Sequence, residues 1–90
     1  MLARLLVEQR LAACVQTNEI TSTYRWQGQV ESAPEIMLTA KTLASRLSEL
    51  EQVVKRHHSY EVPEIIATPI VRASEAYALW VQENAKPCDR

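Results

Sequence analysis

His57 and His58 end a basic run, and Tyr60, Glu61 and Glu64 follow within a few residues. Imidazole and carboxylate groups this close together are the donor types that hold copper or zinc. Adjacent residues at a helix end point roughly 100° apart, so the two rings do not readily chelate one ion within a subunit. A tight site needs three or four ligands, so the rest must come from another strand, from Cys14 or across a subunit boundary. The metal-ligand candidates are therefore His58, His57 and Cys14. Set against them is the plainer reading that the histidines complement a helix dipole and that Cys14, among Leu11, Ala12, Ala13 and Val15, is a buried thiol.

A second constellation is aromatic. Tyr24, Trp26, Tyr60, Tyr77 and Trp80, with Lys41, Glu61 and Glu64, could rim a cleft for a small molecule, although aromatics spaced by two on a strand or three on a helix are more often core or interface. Catalysis finds little support. Cys14 with His58 lacks the local signatures of thiol enzymes, and Glu61 and Glu64 point to opposite faces of an extended segment. A single glycine cannot build a phosphate cradle.

The elements that must position these groups are legible in the hydrophobic pattern. Leu2, Leu5, Leu6 and Ala13 fall near one face of a helix running to about Ala12. β-formers dominate from Ala13 to Gln27, with Ile20, Ser22, Tyr24 and Trp26 on one face. Gly28, the only glycine, offers the positive φ of a tight turn. A second strand from Gln29 to about Thr42 is interrupted by Pro34 at a bulge or an edge. Leu43, Leu47, Leu50 and Val54 mark a second helix, capped by Thr42 and ended by Lys55, Arg56 and His57. Pro63 forces Val62 out of the helical region, and Glu64 to Val71 is expected as a third strand. Ser74 caps a last helix with Tyr77, Trp80 and Val81 on one stripe, and residues 84–90 are expected to fray. The expected order is αββαβα in one α+β domain of 90 residues.

Composition narrows the function classes. Ten basic against eleven acidic residues leave a net charge of −1, which gives no electrostatic case for nucleic acid. No apolar run approaches the roughly 20 residues of a membrane-spanning helix, and no signal-peptide pattern opens the chain. The reading is a soluble, cytoplasmic protein with no membrane partner and with Cys14 and Cys88 as free thiols. A domain this small buries only about 60–65% of its unfolded surface, so oligomerisation would help it.

The segment His57-His58-Ser59-Tyr60-Glu61-Val62-Pro63-Glu64-Ile65-Ile66 resembles the HPYEVPEII signature of the CutA family, the divalent-cation tolerance proteins, departing at Ser59 where that family usually has proline. Leu11-Ala12-Ala13-Cys14-Val15 is similar to its LAACV, Tyr24-Arg25-Trp26-Gln27-Gly28 to its Y-x-W-x-G hairpin, Lys41-Thr42 to its KT, and Tyr77-x-x-Trp80 to its last helix. The resemblance spans about Leu2 to Trp80. It implies a ferredoxin-like βαββαβ subunit with a C-terminal helix, a homotrimer, and a non-enzymatic role in tolerance of copper or other divalent metals, with no cofactor required. A similarity of architecture to the trimeric PII sensors implies the alternative of a small molecule or protein partner bound in clefts between subunits.

The expected αββαβα order lacks the first strand of that fold, which lies inside the sheet between the third and fourth strands. Relatives with well-developed metal binding carry cysteines in that strand and late in the second helix, where Val53 and Val54 stand here. Either the chain is a shortened form, or another segment fills the slot.

Overall fold

The computed structural model describes residues 1–58 and 62–87. Its elements are helix α1 (Leu2–Glu8), strands β1 (Cys14–Trp26) and β2 (Gln29–Lys41), a 3₁₀ turn (Ala44–Arg46), and helices α2 (Leu47–His57) and α3 (Glu75–Ala85). The α+β class expected from the pattern stands.

Both strands are 13 residues long, about twice the usual length. They pair antiparallel without a break from Cys14↔Lys41 to Trp26↔Gln29. The connection is two residues, Gln27 at φ 50° and Gly28 at φ 80°, the double left-handed turn whose twist matches a right-handed ribbon. Glycine meets that demand freely, and glutamine sits there at some steric cost. Pro34 makes no bulge. It pairs with Thr21 in register, which is possible because β2 is an edge of a two-stranded sheet.

The core lies at one end of this ribbon. Leu6, Leu11, Ala12, Leu50 and Val53 are buried together, and Leu2, Leu5, Val15, Ala40 and Val54 pack against them. Val15 and Ala40 are cross-strand partners, so one face of the open end of the hairpin supplies the floor and α1 and α2 supply the cover. Beyond Thr17↔Leu38 the hairpin leaves the helices behind. On the helix side it exposes Val30, Ile36 and Leu38, and on the other side Tyr24, Trp26 and Met37.

Four expectations are corrected. Helix α1 stops at Glu8 rather than Ala12, because Leu11 and Ala12 turn inward to the core and Ala13 N–H donates to Lys41 O at 2.9 Å, drawing the chain into the sheet. Thr42 does not cap α2; its hydroxyl donates to Leu11 O at 2.6 Å, and the 3₁₀ turn comes between. That turn rotates the helix so that Leu50 and Val53 form its buried stripe while Leu47 is exposed. Finally, residues 64–71 form no ladder among the described residues, whose sheet consists of β1 and β2 alone. Ile66 is 77% exposed and Val71 94%. The reason is geometric: in a ferredoxin-like sheet this segment pairs with an interior first strand, not with the hairpin.

Helix α3 begins at the expected cap, where Ser74 Oγ accepts from Tyr77 N–H at 3.2 Å. It runs through Asn84 to a fully buried Ala85, so residue 84 belongs to the helix rather than to a frayed tail.

Candidate functional site

Helix α2 delivers the histidines. Its last turn carries Lys55, Arg56 and His57, cations placed where the helix dipole is negative. His57 Nδ1 lies 2.9 Å from Val53 O. A carbonyl only accepts, so Nδ1 is the protonated nitrogen and the lone pair of the neutral ring is on Nε2, an orientation common in metal-binding histidines. His58 follows at φ −92°, ψ 142°, having left the helix, so the helical spacing of about 100° does not set the direction of its ring.

His57 faces α1. A groove of about 500 Å³ is lined by His57 with Met1, Leu2, Arg4, Leu5 and Glu8. Arg4 Nε donates to Glu8 Oε2 at 2.9 Å across one helical turn. The sequence shows the i, i+4 spacing of that pair, but its neighbourhood with His57 arises only when α1 and α2 pack together. Among the described residues, Glu8 is an acidic group that shares this groove with His57, and sequence reasoning passes over it in favour of Glu61 and Glu64. Glu64 is exposed, while Tyr60 and Glu61 lie outside the described residues, as does Cys88.

Cys14 opens β1 as a half-buried free thiol. It stands opposite Lys41, whose Nζ donates to Gln16 Oε1 at 2.6 Å. Among the described residues no three of His, Cys, Asp and Glu gather as metal ligands. The described donors of one chain therefore do not fit a closed metal site, which requires three or four ligands.

The aromatic constellation divides. Tyr77 and Trp80 stack on α3 with ring centroids 5.6 Å apart. Tyr24 and Trp26 occupy the turn end of the hairpin, 42% and 45% exposed. Lys41 is at the opposite end of β2, about 40 Å from Trp26 at the ordinary rise of a strand. A single cleft lined by Tyr24, Trp26 and Lys41 is thus impossible within one chain. Only residues from different copies could bring such groups together.

The comparisons with known proteins agree with this architecture. The family model for the CutA1 divalent ion tolerance protein matches residues 1–84. The divalent-cation tolerance protein CutA of Thermus thermophilus is 45% identical over 84 residues, 92% of this chain and 82% of that protein. Protein CutA of Homo sapiens is 41% identical over 83 residues, 91% of this chain but 46% of that protein. The chain thus spans about half the length of the human relative. Among solved structures, the periplasmic divalent cation tolerance protein CutA from Archaeoglobus fulgidus superposes with a TM-score of 0.92 at 36% identity, covering 94% of this chain and 83% of that one. The PII-like protein CutA from Nostoc superposes with a TM-score of 0.89 at 31% identity, covering 96% of this chain and 85% of that one. By sequence and by fold, the chain belongs to the CutA family of divalent-cation tolerance proteins.

Proposed function

We propose that the chain acts in divalent-cation tolerance as a non-enzymatic homotrimer that takes up copper or zinc weakly, at sites completed between subunits. The observation that carries this reading is the hairpin arm. It projects beyond the helices with apolar side chains exposed on both faces, and an exposed ribbon of this length is stabilised when another chain covers it. Interfaces of more than about 2,000 Å² are common in such obligate assemblies. Light scattering at micromolar concentration is expected to give three times the 10.2 kDa chain mass; a monomer there would refute the assembly.

Metal uptake follows from Nε2 of His57, with His58 and Cys14 as further donors. Because one chain lacks a three-ligand set among its described residues, the expected affinity is micromolar or weaker. In calorimetric titrations with copper and with zinc, His57→Ala combined with His58→Ala is expected to weaken binding by about tenfold or more, the loss of a principal ligand. Acidification is expected to weaken binding in the unaltered protein, since a protonated imidazole has no lone pair for a metal. Unchanged affinity in the double variant would remove both histidines from the site.

Cytoplasmic residence belongs to the same reading. It is supported by Cys14 as a free thiol, the state that a reducing compartment preserves. No helix among the described residues is long and apolar enough to cross a membrane.

A second reading has its own support in the likeness to the PII-like protein from Nostoc and in the exposed Tyr77–Trp80 stack. In it the trimer is a sensor or scaffold that binds a small molecule or protein partner in clefts between subunits. A trimer that takes up neither copper nor zinc in the titrations would favour it.

A further inference from the structure

Helix α1 ends on a residue that the geometry of its end disfavours. Arg10 N–H donates to Val7 O at 3.0 Å and Leu11 N–H to Leu6 O at 2.9 Å, the paired closure of a Schellman motif, in which Leu6 and Leu11 also make the accompanying apolar contact. The position after the cap in that motif needs a positive φ and is usually glycine. Here Arg10 occupies it at φ 59°, where a side chain costs conformational energy. Contacts of the guanidinium can offset that cost.

Those contacts are at the other end of the chain. Arg10 Nε donates to Lys86 O at 2.8 Å, and Nη2 donates to Glu83 O. Helix α3 has no glycine closure of its own: Lys86 caps it at φ −76°, ψ 152°. Carbonyls at its C-terminal end, where the helix dipole is negative, take the guanidinium of Arg10 instead. Arg10 is itself held from behind. The guanidinium of Arg46, 6% exposed, donates from Nε to Arg10 O at 3.1 Å and from Nη1 to Glu49 Oε1 at 2.9 Å. The ends of α1 and α3 and the 3₁₀ turn before α2 therefore meet at one residue.

Within one chain and among the described residues, little else fastens α3. Of its residues only Ala85 is fully buried, while Tyr77, Leu79 and Trp80 are exposed, and residues 62–74 leading into it contribute no strand or helix. We propose that Arg10 is a latch seating the C-terminal helix on the domain, and that α3, with its Tyr77–Trp80 stack, detaches as a unit when the latch opens while the hairpin and the α1–α2 core stay folded.

Hydrogen exchange read by mass spectrometry on the full chain tests this with Arg10→Gly and Arg10→Lys. Glycine relieves the left-handed backbone and preserves the Schellman closure, so a merely local role for Arg10 predicts unchanged or stronger protection throughout. The latch predicts that amides of residues 78–85 exchange at least about tenfold faster in Arg10→Gly, with β1 and β2 unchanged, because local opening reports the strength of the contacts that hold a segment. Lysine, with one ammonium in place of the two-pronged guanidinium, should fall between the two. Wild-type protection of α3 in Arg10→Gly would overturn the proposal, as would loss of protection in the hairpin in step with α3.

Discussion

Leu11→Ala is expected to lower the unfolding free energy by roughly 3–5 kcal/mol, the range for a large side chain removed from a packed core. Leu11 is 1% exposed and sits where α1, α2 and the floor of the hairpin converge. It also completes the apolar contact with Leu6 that closes the first helix. In a cluster of five buried residues among those described, little remains to collapse into the space, so the cost should lie toward the upper end. Urea denaturation at fixed protein concentration measures it, the concentration being fixed because association contributes to apparent stability. A shift below about 1 kcal/mol would mean that this cluster is not the centre of the fold.

The second large effect concerns residues 64–71. Ile66, Ile70 and Val71 are exposed, and the segment pairs with no strand among the described residues. In the ferredoxin-like arrangement the partner of this segment is a strand leading into the first helix. A chain extended ahead of Met1 by an apolar strand of about six residues is expected to melt about 10 °C or more above the 90-residue chain, since each kcal/mol gained is worth about 4–8 °C in a domain of this size. Several ladder bonds, each worth about 1 kcal/mol net, and burial of Ile66 and Ile70 both contribute. Circular dichroism melts of the two chains decide the matter. Equal midpoints would show that the added strand does not enter the sheet.

The local elements were legible because they depend on neighbours in sequence. Alternation from Ala13 to Gln27 and from Gln29 to about Thr42, broken by Gly28, specifies a hairpin, and the structure moves Gln27 into a two-residue turn that sets the register. Ser74 announces the start of α3 by the same local chemistry. The family was legible too, since its motifs are short runs of neighbouring residues. Other features depend on packing between distant segments. Helix α1 ends four residues short of Ala12 because Leu11 must enter the core, and Thr42 gives up capping to bond a carbonyl of the first loop. That residues 64–71 pair with no strand among the described residues is a matter of sheet order rather than of local propensity.

The candidate site divides in the same way. The sequence by itself determined that His57 would close a basic helix end, because Lys55, Arg56 and His57 complement the helix dipole there. Only the tertiary structure decided that His57 faces Arg4 and Glu8, that Lys41 is far from Tyr24 and Trp26, and that Arg10 reaches Glu83 and Lys86. These placements join residues separated by tens of positions. They are set by burying Leu6, Leu11, Leu50 and Val53 together, and a local pattern carries no information about which distant surface it will meet.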